Sequence, residues 1–273
     1  PKRYAFATGM LLVAGMTGAV FAGYPLHQAT ILFGWRNVTL ASALLALLMA
    51  VLVFMFVRDD PSEKGLKSYL DKESSGQKEE KILRSLGRVF RFSNTWFLTI
   101  APGGIVGAVL TFSGLWGVPF LTEVYHLENA TAATLCSLVM LAWALSGPIY
   151  SLVSERIQLR RMPYLIGTMI SLISWSLVFL IPGWSLGVLS LLLFLAGFFS
   201  GGMILGFAQG KETLPLSLSG TVSGVINMGV LTGPMLLQPL GEFLLDSTKP
   251  TAHTSLEIAV GFNFEDYRFA FLP

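Results

Sequence analysis

The sequence predicts an all-α, polytopic membrane protein, and three observations predict it. Of its 273 residues, 53% are hydrophobic and only 12% charged, with a mean hydropathy of +0.66; a soluble domain carries about 25% charged residues. The charges are gathered into knots, leaving uncharged runs at 4–35, 37–57, 92–122, 129–154, 162–210 and 213–241. Each run is long enough for the roughly 20 apolar residues that cross about 30 Å of hydrocarbon. None shows the strict alternation of a barrel strand. With no water in lipid to satisfy backbone groups, the spans must then be helices.

Taken in order, the runs give seven spans, at 5–29, 37–57, 95–122, 129–153, 163–181, 185–208 and 214–244. The run at 162–210 is too long for one helix, and Pro182-Gly183-Trp184 divides it with a tight turn. An eighth span begins at "FEDYRFAFLP" (264–273). Pro1-Lys2-Arg3 leads straight into a full-length span with no signal-peptide pattern. Both ends therefore read as cut, and the chain as a piece of a longer protein. Cys136 is the one cysteine, inside a span, so no intrachain disulfide is available and it reads as a small buried apolar residue.

Sidedness comes from the basic residues, which mark the cytoplasmic face when they lie in short loops. Alternating the loops places Lys2, Arg3, nine basic residues from Arg58 to Arg91, Arg156, Arg160, Arg161 and Lys211 on one face, 15 of the 18. Only Arg36, Lys249 and Arg268 fall on the other. The N-terminus and the loops at 58–93, 154–163 and 209–213 are expected to be cytoplasmic. Residues 58–93 mix nine basic with seven acidic residues and read as a solvated linker. Its end turns amphipathic: Ile82, Leu83, Leu86, Val89 and Phe90 oppose Lys81, Arg84, Arg88 and Arg91, as in a helix lying among headgroups. The interleaved acids argue against a nucleic-acid arm, so no nucleic-acid partner is expected.

Three motifs carry a family resemblance. "GPIYSLVSERIQLRRMPYLIG" (147–167) resembles the loop between helices 8 and 9 of major facilitator superfamily transporters. Gly147-Pro148, Glu155-Arg156 and Arg160-Arg161 fall in the family's register, with Glu155 where Asp is usual and Gln158 where a loop Gly is usual. "FGWRN" (33–37) resembles the turn between helices 5 and 6, and the stretch from Gly206 to Asp246 resembles the connection into helix 11 and helix 11 itself. A shift of 215 residues also aligns Gly9 with Gly224, Gly18 with Gly233, and Ala19 with Pro234, as two halves related along the membrane normal would. The resemblance implies a bacterial-type helical bundle seen from helix 5 to the start of helix 12. It assigns 1–57 to the end of the first six-helix half, 58–93 to the central linker and 94–273 to the second half.

The same resemblance implies a secondary transporter, expected to be a monomer in the bacterial inner membrane, that moves a small polar solute by alternating access. Gly147, Glu155, Arg156, Arg160 and Arg161 would form its cytoplasmic gate motif through charge pairs and helix-end contacts that break on rocking; a topology signal is the other reading of the arginines. The Gly-Pro signature of drug/proton antiporters stands here as Gly18-Ala19, which tilts the expectation to symport or uniport. A receptor that keeps the fold without flux is the competing class. No enzyme, metal or cofactor motif is present, and a coupling ion, H+ or Na+, is the only accessory expected. No ionisable residue lies deep in a span; His27, near one span end, is a weak candidate for coupling. Substrate candidates are the mid-depth polar and aromatic residues: Thr17, Thr111, Ser113, Trp116, Trp143 and Asn227. Each tryptophan could stack on a solute or simply pack helices. The Asn227 amide could glue helices or line the cavity, because in hydrocarbon it must find partners or water.

Overall fold

The computed structural model describes residues 10, 14–15, 18, 24–58, 65, 82–248 and 262–271. Its helices belong to two compact units, one within Thr17–Arg84 and the other within Ser85–Pro273. Among the described residues six helices are long and apolar enough to cross a membrane: Trp35–Phe56, Ser93–Tyr125, Asn129–Ile157, Arg161–Leu180, Leu186–Thr213 and Ser219–Thr248. These are the second to seventh expected spans. The first, at 5–29, lies largely outside the described residues, as do Thr17 and the His27 side chain.

In the first unit α1 (Tyr24–Phe33) and α2 (Trp35–Phe56) are separated by the single residue Gly34, whose φ of 78° no β-carbon opposes. The expected turn at 33–37 is therefore tighter than its motif suggested. The Asn37 amide donates to the Phe33 carbonyl at 2.9 Å, and the Arg36 guanidinium lies 4.7 Å over the Trp35 ring.

The helix α3 (Ile82–Val89), which runs into the second unit from Ser85, is the expected amphipathic helix, but its faces are turned from the sequence reading. Ser85 and Val89 are buried and Leu86 and Phe90 pack on an apolar cluster of Leu98, Leu214, Leu218 and Val222, while Leu83 is 83% exposed. An eight-residue helix lays one stripe inward, and Leu83 sits about 200° from Ser85. The next span is α4 (Ser93–Thr111), a π-turn at Phe112–Trp116, and α5 (Gly117–Tyr125). Then come α6 (Asn129–Ile157), α7 (Arg161–Leu180), α8 (Leu186–Ser200), a 3-10 turn at Gly201–Met203, α9 (Ile204–Thr213), α10 (Ser219–Thr248) and α11 (Phe264–Phe271).

Small residues set the packing, as expected where lipid tails remove any hydrophobic drive between helices. A β-carbon on Gly103 would lie 2.6 Å from the Gly229 carbonyl oxygen, and one on Gly107 would lie 3.1 Å from the Gly233 α-carbon. The Gly229 and Gly233 α-carbons in turn press on the carbonyls of Thr99 and Gly103. Thus α4 and α10 touch backbone to backbone. Gly197 does the same for α8 against the Val139 backbone of α6, and Gly201 of the 3-10 turn lies against the Ser146 side chain, so "SGGMILG" opens on a packing device. Ser171 and Ser200 share a buried hydrogen bond at 2.9 Å between α7 and α8. Aromatic side chains fill the core around Phe112, Phe120, Trp175 and Phe179.

The two ends of this unit differ in charge. One end gathers Arg88, Arg91, Arg156, Arg160, Arg161 and Lys211 with Glu155 and Glu212. At the other, the ends of α5, α10 and α11 carry Glu123, Glu242, Asp246, Glu265 and Asp266 against Arg268.

Candidate functional site

The charged knot is built by a left-handed residue. Gln158 ends α6 with φ 55°, ψ 26°, reversing the chain, and its side-chain amide caps the Glu155 carbonyl. A glycine would adopt this φ without cost, which explains the family's preference at the position. The reversal brings Arg160 back beside Ser154 and across to α9. Its Nη1 donates to Ser154 Oγ at 3.0 Å, its Nη2 to Glu212 Oε1 at 3.0 Å and its Nε to the same carboxylate at 3.2 Å. The Ser154 hydroxyl itself donates to the Leu159 carbonyl at 2.6 Å. Arg160 thus ties the α6–α7 turn to the end of α9 by a bidentate, charge-assisted contact. Among the described residues neither Glu155 nor Arg156 makes a side-chain ion pair, and Arg161 is exposed at the start of α7. Gly147 is buried on α6 ahead of the knot, where its carbonyl accepts from the Ser151 hydroxyl at 2.9 Å.

The second region lies along α10. At 100° per residue, Asn227, Leu231, Pro234, Gln238 and Glu242 fall within about 80° of one another. Gly229, Gly233 and Leu237 occupy the side pressed on α4. Farther round stand Met228, Met235, Leu236 and Phe243, large, apolar and exposed. The open side of α10 is therefore split into a polar edge and an apolar edge. Asn227 is exposed, and its amide has no hydrogen-bond partner among the described residues; nothing lies within 4 Å of a β-carbon placed on Gly224 beside it. Among the described residues it does not glue helices.

Opposite Gln238 stands the π-turn. One extra residue in the α4–α5 helix makes the Gly117 N–H reach back five residues to the Phe112 carbonyl. The turn is locked from behind, since a β-carbon on Gly117 would lie 2.6 Å from Cys136 Sγ and 2.7 Å from the Phe112 oxygen. Gln238 Nε2 donates to the Leu110 carbonyl at 3.5 Å, and Trp116 Nε1 donates to the Gln238 carbonyl at 3.4 Å. The Ser113 hydroxyl is buried without a partner among the described residues, and Gly114 is exposed with only Gln238 Nε2, at 3.9 Å, near the place of a β-carbon. Such π-turns recur at functional sites because they free backbone groups and re-aim side chains.

Trp116 is thus brought together with Gln238, which the sequence reading passed over, and Ser113 stands on the same π-turn. Asn227 lies on the same edge about 16 Å along the helix. Trp143 is 7% exposed in the core of α6, its carbonyl taking the Ser146 hydroxyl at 2.7 Å. Thr111 lines a different space, an apolar recess of about 500 Å³ walled by Ile100, Gly104, Trp175, Leu240 and Phe271. Its rim residues Ile100 and Leu172 are 67% and 57% exposed, so it opens on the apolar surface and not on the polar edge.

A helical membrane bundle with a charged reversal between its second and third spans of this unit invites comparison with known families. The model of the Major Facilitator Superfamily matches residues 1–237. The chain belongs to that superfamily. It is a multi-pass membrane transporter in which the predicted all-α, polytopic architecture is present. No curated protein matches it.

Proposed function

We propose that this superfamily member is a secondary active carrier of a small polar solute, working by alternating access as a symporter or uniporter, and not an enzyme. The Arg160 end is the cytoplasmic face of a bacterial inner membrane, a reading supported by the basic residues gathered there. The solute moves along the polar edge of α10, and Arg160–Glu212 belongs to the cytoplasmic gate.

The observation that carries the reading is Asn227. A primary amide on a membrane helix, without a partner among the described residues, must face water or a solute because hydrocarbon offers it nothing. Its two donors and its acceptor suit a hydrogen-bonding solute. The test is Asn227→Leu in the full-length protein, reconstituted in liposomes, with melting temperature measured on the same preparation. A carrier whose solute touches Asn227 loses affinity by about 1–2 kcal/mol with the melting temperature kept. A lowered melting temperature with unchanged affinity removes Asn227 from the path, and absence of any solute flux in the unsubstituted protein favours the receptor class.

A further inference from the structure

The polar edge holds a second station, and its chemistry is narrower than that of Asn227. Gln238 turns its Nε2 onto the Leu110 carbonyl, which leaves the carboxamide oxygen as its free end. One turn farther along the same face is Glu242, exposed and without an ion pair among the described residues. The π-turn whose Trp116 indole donates to the Gln238 main-chain carbonyl also carries the buried Ser113 hydroxyl, unpartnered among the described residues. Residues four apart on a helix are neighbours about 6 Å apart, so Gln238 and Glu242 act on one solute group. An oxygen acceptor, a carboxylate and a hydroxyl that can accept make a set with one formal negative charge.

Among the described residues the cationic groups of this unit lie elsewhere. Arg156, Arg160, Arg161 and Lys211 are at the opposite end. Arg268, at this end, is held by Glu265 at 3.1 Å. Glu123, the other carboxylate within the α5 turn, is already committed, accepting from the Tyr267 hydroxyl at 2.7 Å and from the Phe262 N–H at 3.1 Å. Among the described residues a solute carboxylate or phosphate would meet no free counter-charge here. A primary ammonium brings three donors and one positive charge.

Building on the carrier reading above, we propose that Gln238, Glu242 and Ser113 form a station for a protonated amine, so that the solute carries a cationic amino group. Gln238 and Ser113 hydrogen-bond that group and Glu242 supplies its counter-charge. The station is too far from Asn227 for one small group to touch both, which makes the two points successive stops along the path.

The station can be read without knowing the solute. Gly114→Cys places a thiol beside Gln238 where the fold has room for it, in a full-length protein also carrying Cys136→Ser. The probes are two membrane-impermeant methanethiosulfonates, one with a trimethylammonium and one with a sulfonate, applied to proteoliposomes at zero membrane potential. Each rate is divided by the same reagent's rate with free cysteine. The expected result is a preference of roughly tenfold for the cationic reagent, the scale of one carboxylate at about 6 Å acting oppositely on the two probes through a water-like medium. Glu242→Gln in the same background should bring the ratio close to one. A preference for the sulfonate, or a cationic preference untouched by Glu242→Gln, overturns the amine assignment while leaving the path intact. Reaction at Asn227→Cys but not at Gly114→Cys removes the station alone. Reaction at neither position removes the polar-edge path and the station together.

Discussion

Two sides of α10 put the same kind of helix to opposite uses. On one side Gly229 and Gly233 let the backbone of α4 come into hard contact, and the Thr99 hydroxyl beside it is already spent on the Thr95 carbonyl. On the other, Asn227, Gln238 and Glu242 hold side-chain polar groups out where no described neighbour takes Asn227 or Glu242. A membrane helix gains nothing from a hydrophobic drive, so close contact must come from removing side chains. An amide or carboxylate kept on such a helix costs stability unless water or a solute reaches it. The packed side explains how the span stands; the open edge explains what it is for.

The largest expected effects come from breaking the packed side. Gly233→Leu drives a branched side chain into the Gly103 carbonyl, and no rotamer avoids a clash that begins at the β-carbon. Overpacking costs about 1–3 kcal/mol and sometimes more, and backbone contact belongs at the upper end. The variant should elute as aggregate in size-exclusion chromatography, whereas Gly224→Leu, on the open side, should remain monodisperse. Equal behaviour of the two would erase the contrast between the faces.

Next in size is the edge itself. Asn227→Leu should weaken solute affinity by about 1–2 kcal/mol without moving the melting temperature, and the lipid-side exchange Met235→Leu should change neither. A weaker effect is expected at the knot. Glu212→Gln leaves Arg160 with a neutral partner at a half-exposed site, where such pairs contribute up to about 1 kcal/mol. If the pair forms in only one conformation, the balance of conformers moves by up to about fivefold. Turnover should change while affinity stays within twofold, and a double-mutant cycle with Arg160→Gln measures the coupling. Additive losses would show that the two side chains do not act together. Glu155→Gln, which touches no ion pair among the described residues, should alter turnover less than Glu212→Gln.

The smallest change should be a gain. Gln158→Gly relieves the left-handed strain, worth about 1 kcal/mol, and loses the cap on the Glu155 carbonyl in exchange. A rise in melting temperature of a degree or two in detergent is expected, and a clear fall would mean that the cap outweighs the strain.

Much of this architecture could be read before any coordinate was known, for a plain reason. Hydrocarbon excludes charge, so charge-free runs mark the spans, and the knots between them mark the turns. The gathering of basic residues at one end of the second unit followed from the alternation of those runs. What stayed hidden was register. Apolar residues surround these helices on all sides, so periodicity could not tell that Trp143 faces the core while Asn227 faces out. Nothing in "LTFSGLW" announces a π-turn, because its cause is the fit of Gly117 under Cys136 and Phe112, residues that meet only in the fold. Gln238 could have been found: it stands eleven residues from Asn227, three full turns, and amides so spaced share a face. The partner of Arg160 was legible in principle too, since Glu212 is the acid of the neighbouring loop on the same side.

The π-turn has a consequence on the scale of descent. A helix that contains it is one residue longer than the path it covers, so everything beyond Trp116 is rotated by about 100° from where an uninterrupted helix would aim it. That rotation points Glu123 at Tyr267 and Phe262. Losing one residue from 112–116 would leave composition, hydropathy and span length nearly unaltered, yet it would swing the Glu123 carboxylate away from its partners and undo the join with α11. Between related chains, a one-residue gap in this span would be a change of wiring disguised as a trivial change of length.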